Sequence, residues 1–245
     1  MAQIIFVTGT DTGVGKTLIT ALLLQHWRER GFDVLAMKPL CTGDRSDVEL
    51  FQAIQGDRLE LHEANPFFFH PPLTPMVAAR LAKKTVRVSD VLKCIERVAR
   101  CCEWLLVEGA GGLLSPLGEG FSAADLIAKL RCEVVVVASN KLGAINHTLL
   151  TVKALEPLRP RSIKVVFSQP QQRDRSAASN ASVVLELTRK IAVENVPFLG
   201  ARRCTPAGIR RAKKKIKKVL ARILDFATFS PSRSRRVLRT RQQQK

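Results

Sequence analysis

Residues 9–17, Gly-Thr-Asp-Thr-Gly-Val-Gly-Lys-Thr, constrain this chain more than any other stretch. They follow Gln3-Ile4-Ile5-Phe6-Val7-Thr8, a short apolar run rich in β-branched residues that closes on glycine and reads as a buried strand. They precede Leu18 to Arg30, where Leu18, Ala21, Leu22, Leu24 and Trp27 form the apolar stripe of a helix. Strand, glycine turn and helix is the context of a phosphate-binding loop: the turn aims backbone N–H groups at an anion, and the helix N-terminus adds its positive dipole end. In such a loop Lys16 reaches the β- and γ-phosphates and Thr17 offers its hydroxyl to Mg²⁺. The general pattern G-x-x-x-x-G-K-[ST] would put a glycine at position 10, which is Thr10; Gly9 lies one residue earlier, so this loop is one residue longer.

The next short apolar runs repeat the alternation. Asp33 to Pro39 reads as a second strand, Trp104 to Val107 as a third, Glu133 to Ala138 as a fourth, Ile163 to Phe167 as a fifth and Val196 to Leu199 as a last short one. Between them the spacing predicts helices over Ser46–Gln55, with Ser46 as cap, over Met76–Ala82, over Ser89–Cys102, with Ser89 as cap, and over Ala123–Leu130, Asn146–Leu155 and Ala181–Val193. Asn65 to Pro75, rich in Pro and Phe, reads as an irregular loop packed on the body. Strands that are apolar throughout and alternate with helices indicate an α/β fold, a P-loop NTPase-like parallel β-sheet flanked by helices on both faces. In such sheets function gathers at the carboxyl ends of the strands. The chemistry-bearing segments obey that rule: Gly9–Thr17, Lys38–Gly43, Glu108–Gly112 and Ser139–Asn146 each follow a strand.

The formal net charge of +19 is not spread evenly. Residues 201–245 hold 16 Lys/Arg and one acid, Asp225, while residues 1–200 are nearly balanced at 24 basic and 20 acidic side chains. The expected division is therefore a body over 1–204, a basic amphipathic helix over 205–225 and a basic, disordered tail over 226–245. The tail reads as a solvated extension, with contact to nucleic acid or an anionic surface as the alternative. No apolar run approaches the length of a membrane span, so no membrane partner is expected. The first strand starts at once, with no signal peptide evident, and the expected compartment is the cytoplasm. Six cysteines without C-x-x-C spacing read as reduced thiols.

Lys38, at a strand end before proline, can steady a transferring phosphoryl group or polarise a carbonyl; an exposed loop lysine is the plainer alternative. Glu108 ends the apolar run Leu-Leu-Val, a costly place for an acid without a partner, and is a metal candidate with Thr17. Asp47 is a third such candidate or simply an acid in the first turn of a helix. Gly109-Ala110-Gly111-Gly112 allows close backbone approach of a ligand, and Gly143 to Asn146 opens a helix whose N–H groups can hold a carboxylate or phosphate. The four histidines have no partner pattern.

Four segments together resemble the dethiobiotin synthetase family: FVTGTDTGVGKT (Phe6–Thr17), KPLCTG (Lys38–Gly43), VEGAGGLLSPL (Val107–Leu117) and KLGAINHTLLT (Lys141–Thr151). The longer P-loop is that family's form. The resemblance implies ATP-dependent carboxylation of 7,8-diaminononanoate with CO₂: a carbamate forms, ATP phosphorylates it, and the second amine closes the ureido ring. It implies that Gly13, Val14, Gly15, Lys16, Thr17 and Leu18 hold the phosphates of ATP, with Gly109, Ala110 and Gly111 nearby. It implies catalytic roles for Lys38 and Lys16, Mg²⁺ at Thr17, Asp47 and Glu108, and substrate contacts from Thr12 and Thr42. It implies a homodimer in which Asn146 holds the substrate carboxylate across the interface. Ser168-Gln169 stand where the family commonly has Asn-Asp for reading adenine, and Arg202-Arg203-Cys204 replace a Pro-rich, acid-containing continuation. Two rival readings are a partition-type P-loop ATPase switch whose basic tail binds nucleic acid, and a homologue that no longer turns over.

Overall fold

A computed structural model describes residues 2–172, 174–189, 191–200 and 204–225. The tail 226–245 and Arg202-Arg203 lie outside the described residues, and with them the expectation of a disordered tail.

The chain opens with β1 (Gln3–Gly9), α1 (Lys16–Arg28), β2 (Val34–Met37), β3 (Leu40–Thr42), α2 (Ser46–Gln55), α3 (Leu61–Ala64), β4 (Phe67–Phe69), α4 (Pro75–Leu81) and α5 (Val88–Ala99). It continues with β5 (Trp104–Glu108), β6 (Pro116–Gly118), β7 (Phe121–Ser122), α6 (Ala123–Leu130), β8 (Glu133–Ser139) and α7 (Ala144–Leu155). It ends with β9 (Ser162–Ser168), α8 (Asn180–Thr188), β10 (Ala192–Val196), α9 (Pro206–Lys215) and α10 (Lys217–Leu224). Six strands form one parallel sheet in the order β10-β9-β8-β1-β5-β2. From β1 the chain first reaches the edge position of β2, returns to insert β5 beside β1, then crosses to lay β8, β9 and β10 on the other side. The direction of winding thus reverses beside β1, and a crevice opens there at the strands' carboxyl ends.

The side chains of β1 alternate between two cores. Phe6 joins Val107, Val134, Val136 and the inner faces of α5 to α8, whereas Ile5 and Val7 join Leu22, Leu23, Trp27 and the inner faces of α1, α2, α9 and α10. Burial on both faces is why these strands read as continuous apolar runs rather than alternating ones. Most helices fall within a residue or two of expectation. The second strand is shorter than expected, Val34–Met37, and Leu40–Thr42 makes a separate two-stranded pairing with Phe67–Phe69, inside the segment expected to be irregular.

Several local expectations are corrected. Ser46 is the first residue of α2 rather than its cap; the Asp44 carboxylate accepts from the Ser46 N–H at 2.9 Å and from its hydroxyl. Ser89 lies inside α5, which starts at Val88 and stops at Ala99. The helix expected over 181–193 is Asn180–Thr188, and Val196–Leu199 is not the last strand; Ala192–Val196 is, paired in register with β9. Arg189, at φ 52°, breaks the helix, and the Val-rich sequence beyond it is claimed by the free edge of β9. The basic amphipathic segment is two helices, because Ile216, at φ −122° and ψ 23°, leaves the helical region between them.

Candidate active site

The P-loop joins β1 to α1 and carries its glycines where the backbone requires them. Gly15 sits at φ 103°, and a Cβ there would lie 2.9 Å from Ser168 Oγ. Val14 is buried under the loop, where a Cβ on Gly9 would meet its Cγ2 at 2.8 Å. Glu108 ends β5, the strand paired directly with β1, so the tertiary fold sets it beside the loop.

A cavity of about 590 Å³ opens over this point. Thr12, Gly13, Gly15, Lys16, Thr17, Leu18, Lys38, Thr42, Asp47, Glu108, Ala110 and Gly111, all named from sequence, line it. Five expected residues do not, the buried Val14 among them. Gly109 is packed on Phe6, and Ser168 and Gln169 stand behind the loop, where Gln169 accepts from the Asn140 amide at 3.4 Å. Asn146 is exposed on the first turn of α7.

Charge in the cavity is paired internally. The Lys38 ammonium bonds to the Asp47 carboxylate and lies 3.1 Å from Glu108 Oε1, and the Thr17 hydroxyl donates to that same Oε1 at 2.9 Å. Glu108 Oε2 is buried with no hydrogen-bond partner. The Lys16 ammonium donates to the Asp11 carbonyl at 2.8 Å. Burial pulls the Lys16 ammonium down to about 8, with Lys38 adding to the drop and Glu108 opposing it. Burial acts the same way on Lys38, but Glu108 and Asp47 outweigh it and hold its pKa above the usual lysine value. Burial raises the Cys41 thiol on the cavity wall, so it is no ready nucleophile.

The alternative of an exposed loop lysine at 38 is excluded: the residue is 8% exposed. Asn65 escaped the sequence reading. Its amide donates to the Lys38 carbonyl at 2.8 Å, while the Lys38 N–H donates to the Ala64 carbonyl. A polar Asn before proline, at the head of the Pro- and Phe-rich segment, was the available signal. Pro72 to Pro75 and Cys204 also line the cavity and carried no local motif, and Ser115 lines it from within the Val107–Leu117 segment.

Thr17, Asp47 and Glu108 offer one hydroxyl and two carboxylates around a single point, and Glu108 keeps an unpartnered buried oxygen; this donor set fits a hard divalent cation such as Mg²⁺.

A glycine-rich loop between a central parallel strand and a helix, with a lysine and a threonine at its end and a carboxylate on the neighbouring strand, defines a P-loop NTPase-like α/β protein. A family model described as an AAA domain matches residues 3–202. The chain belongs to the dethiobiotin synthetase family. It is 36% identical over 195 residues to the ATP-dependent dethiobiotin synthetase BioD of Akkermansia muciniphila, which covers 79% of this chain and 89% of that one. It is 32% identical over 230 residues to the protein of the same name from Bacillus velezensis, covering 91% and 95%. Among solved structures, the MinC:MinD cell division protein complex of Aquifex aeolicus matches with a TM-score of 0.58 over 94% of this chain and 98% of that one; at 14% identity the likeness is of the fold alone.

Proposed function

We propose that this chain is an ATP-dependent ligase that closes the ureido ring of dethiobiotin from 7,8-diaminononanoate and CO₂, a step of biotin biosynthesis. Its relatives carry the name of that activity at 32–40% identity, and the likeness favours it over a partition-type ATPase switch. The single observation that carries the reading is the meeting of Lys38, Glu108, Asp47 and Thr17 at the mouth of the P-loop, in a cavity that extends past the nucleotide positions to Thr42 and Pro72–Pro75.

In this reading the backbone N–H groups of Gly13 to Leu18 cradle the phosphates of ATP, and Lys16 leaves the Asp11 carbonyl to follow the transferring oxygens. Thr17, Asp47 and Glu108 hold Mg²⁺, which when bound neutralises charge on the phosphates. Lys38 sets its ammonium against the carbamate that CO₂ forms with one amine. The carbamate oxygen takes the γ-phosphoryl group. The second amine then attacks the carbonyl carbon, and phosphate leaves. Every step develops negative charge that oriented cations stabilise, and none needs a covalent protein nucleophile. Thr12 and Thr42 line the diamine's end of the cavity. In this reading Ser168 and Gln169 meet the base.

The working unit in this reading is a homodimer. Support comes from Asn146, which lies on an exposed helix start rather than in its own chain's cavity, with Leu142, Leu150 and Leu114 exposed nearby in sequence or fold. Asn146 of the partner subunit then holds the substrate carboxylate. The described residues contain no helix long and apolar enough to cross a membrane, in keeping with a cytoplasmic enzyme.

The test is phosphate release with ATP, Mg²⁺ and bicarbonate, with and without diaminononanoate, on the full chain and on a chain ending at Asp225. Diamine-dependent turnover in both is expected. Hydrolysis that ignores the diamine but responds to DNA would return the switch, and a fully silent protein would mark an inactive homologue.

A further inference from the structure

The basic C-terminal segment is built onto the body. Ile209, Ala212 and Ile216 from α9, and Leu220, Ile223 and Leu224 from α10, are 0–3% exposed against α1 and its neighbours. Two ion pairs fasten the charged side, Lys213 to Glu29 and Arg222 to Glu194, the latter bidentate at 2.6 and 2.8 Å. That leaves Arg210, Arg211, Lys214, Lys215, Lys217 and Lys218 exposed, on a stretch with no acid between 205 and 224. No ion pair among the described residues involves any of these six.

We propose that α9 and α10 present a nucleic-acid-binding surface that takes a phosphodiester backbone without reading its sequence. Charge complementarity carries the choice of partner: six exposed cations within nine residues, fixed on a folded scaffold, match a closely spaced row of phosphates. An anionic membrane is the weaker match. A helix that enters a lipid interface needs a free apolar face, and the apolar faces here are spent on the protein's own core. The local field agrees. Burial first, then Arg30, Lys213 and Lys217, push the His26 imidazole down to about 4. The sequence beyond Asp225 adds six more Lys/Arg and no acid.

The surface is separate from the cavity. α9 starts beside Cys204 at the cavity wall and runs to Glu29, past the far end of α1, a helix of 13 residues or about 20 Å. A polyanion lying there leaves the P-loop open, so the surface is independent of the ring-closing reading.

The experiment is fluorescence anisotropy of a labelled 20-base-pair duplex of arbitrary sequence, titrated with the full chain between 50 and 200 mM salt. The comparison is the full-length quadruple variant K214Q/K215Q/K217Q/K218Q; glutamine keeps helix propensity, and all four positions are exposed. The full chain is expected to bind with a steep negative log–log salt slope. The variant should lose more than tenfold in affinity at 100 mM salt, and its slope should be shallower by about 0.9 for each backbone contact removed. R210Q/R211Q, made separately, should shift the slope the same way and guards against misfolding of the first variant. Equal slopes for natural chain and both variants would overturn the proposal. So would binding of phosphatidylserine vesicles with no duplex binding at the same salt.

Discussion

The Lys38 ammonium occupies the point where Thr17, Asp47 and Glu108 converge, so in the free protein it stands in for the cation those residues would hold. In the proposed reading a divalent ion would displace it, and the freed ammonium would then be available to the substrate. Lys38→Met should abolish diamine-dependent turnover yet raise the affinity for Mn²⁺ in the absence of nucleotide, by roughly tenfold, because two carboxylates lose their resident counter-charge. Electron paramagnetic resonance of free Mn²⁺ reads this directly; an unchanged or weaker affinity would separate Lys38 from the metal site. Lys16 gives a second outcome. Its ammonium is pulled down to about 8 by burial, and bound phosphate reverses the shift by restoring a counter-charge. Nucleotide affinity should therefore fall as pH rises above about 8, with proton uptake on binding. Calorimetry in buffers of different ionisation enthalpy measures that uptake, and its absence at pH 9 would contradict the assignment.

At the scale of elements, α9 and α10 complete the second core. Leu220 is 0% exposed among Leu23, Trp27 and Val196, all buried in the same cluster. Leu220→Ala should cost about 2–4 kcal/mol and lower Tm by roughly 5–10 °C, measured by calorimetry. Cutting the chain after Cys204 should be worse, because it uncovers α1 along its length; cutting after Asp225 should leave Tm within a few degrees. Equal stability of the two truncations would mean that the helices contribute nothing to the body. The same packing explains why a strongly basic segment can be helical at all: its apolar stripe supplies the burial, and its Lys213–Glu29 and Arg222–Glu194 pairs anchor the polar side.

At the scale of the whole molecule, the reversal of winding beside β1 is what brings the P-loop and Glu108 to adjacent strands. Lys38 arrives from β2, on the far side of β5, and Asp47 from α2 above it. A shared site in a homodimer makes a quantitative demand. Chains carrying Lys38→Met and chains carrying Asn146→Ala should each be inactive alone. Mixed and allowed to exchange, they should regain about a quarter of natural activity, since half of the dimers are hybrids with one intact site each. No recovery on mixing, with exchange verified, would leave each chain with its own complete site.

The sequence by itself determined the P-loop and its longer form, the parallel α/β architecture, the buried strands, and the family, because each is written locally in glycine placement, apolar runs or short motifs. It also named Lys38 and Glu108, polar residues where apolar strands end, Thr17 from the P-loop motif, and Asp47 as one of two alternatives. Only the tertiary structure decided that these four meet through one ammonium and one carboxylate oxygen, that Asn65 holds the Lys38 backbone, and that residues 180–196 divide into a helix and an edge strand. Those facts depend on which strand lies beside which, and an edge such as that of β9 can recruit a segment whose own periodicity reads equally well as helix. The basic C-terminal helices make the same point: their charge was plain in the sequence, but which face stays in water was fixed by what α1 buried.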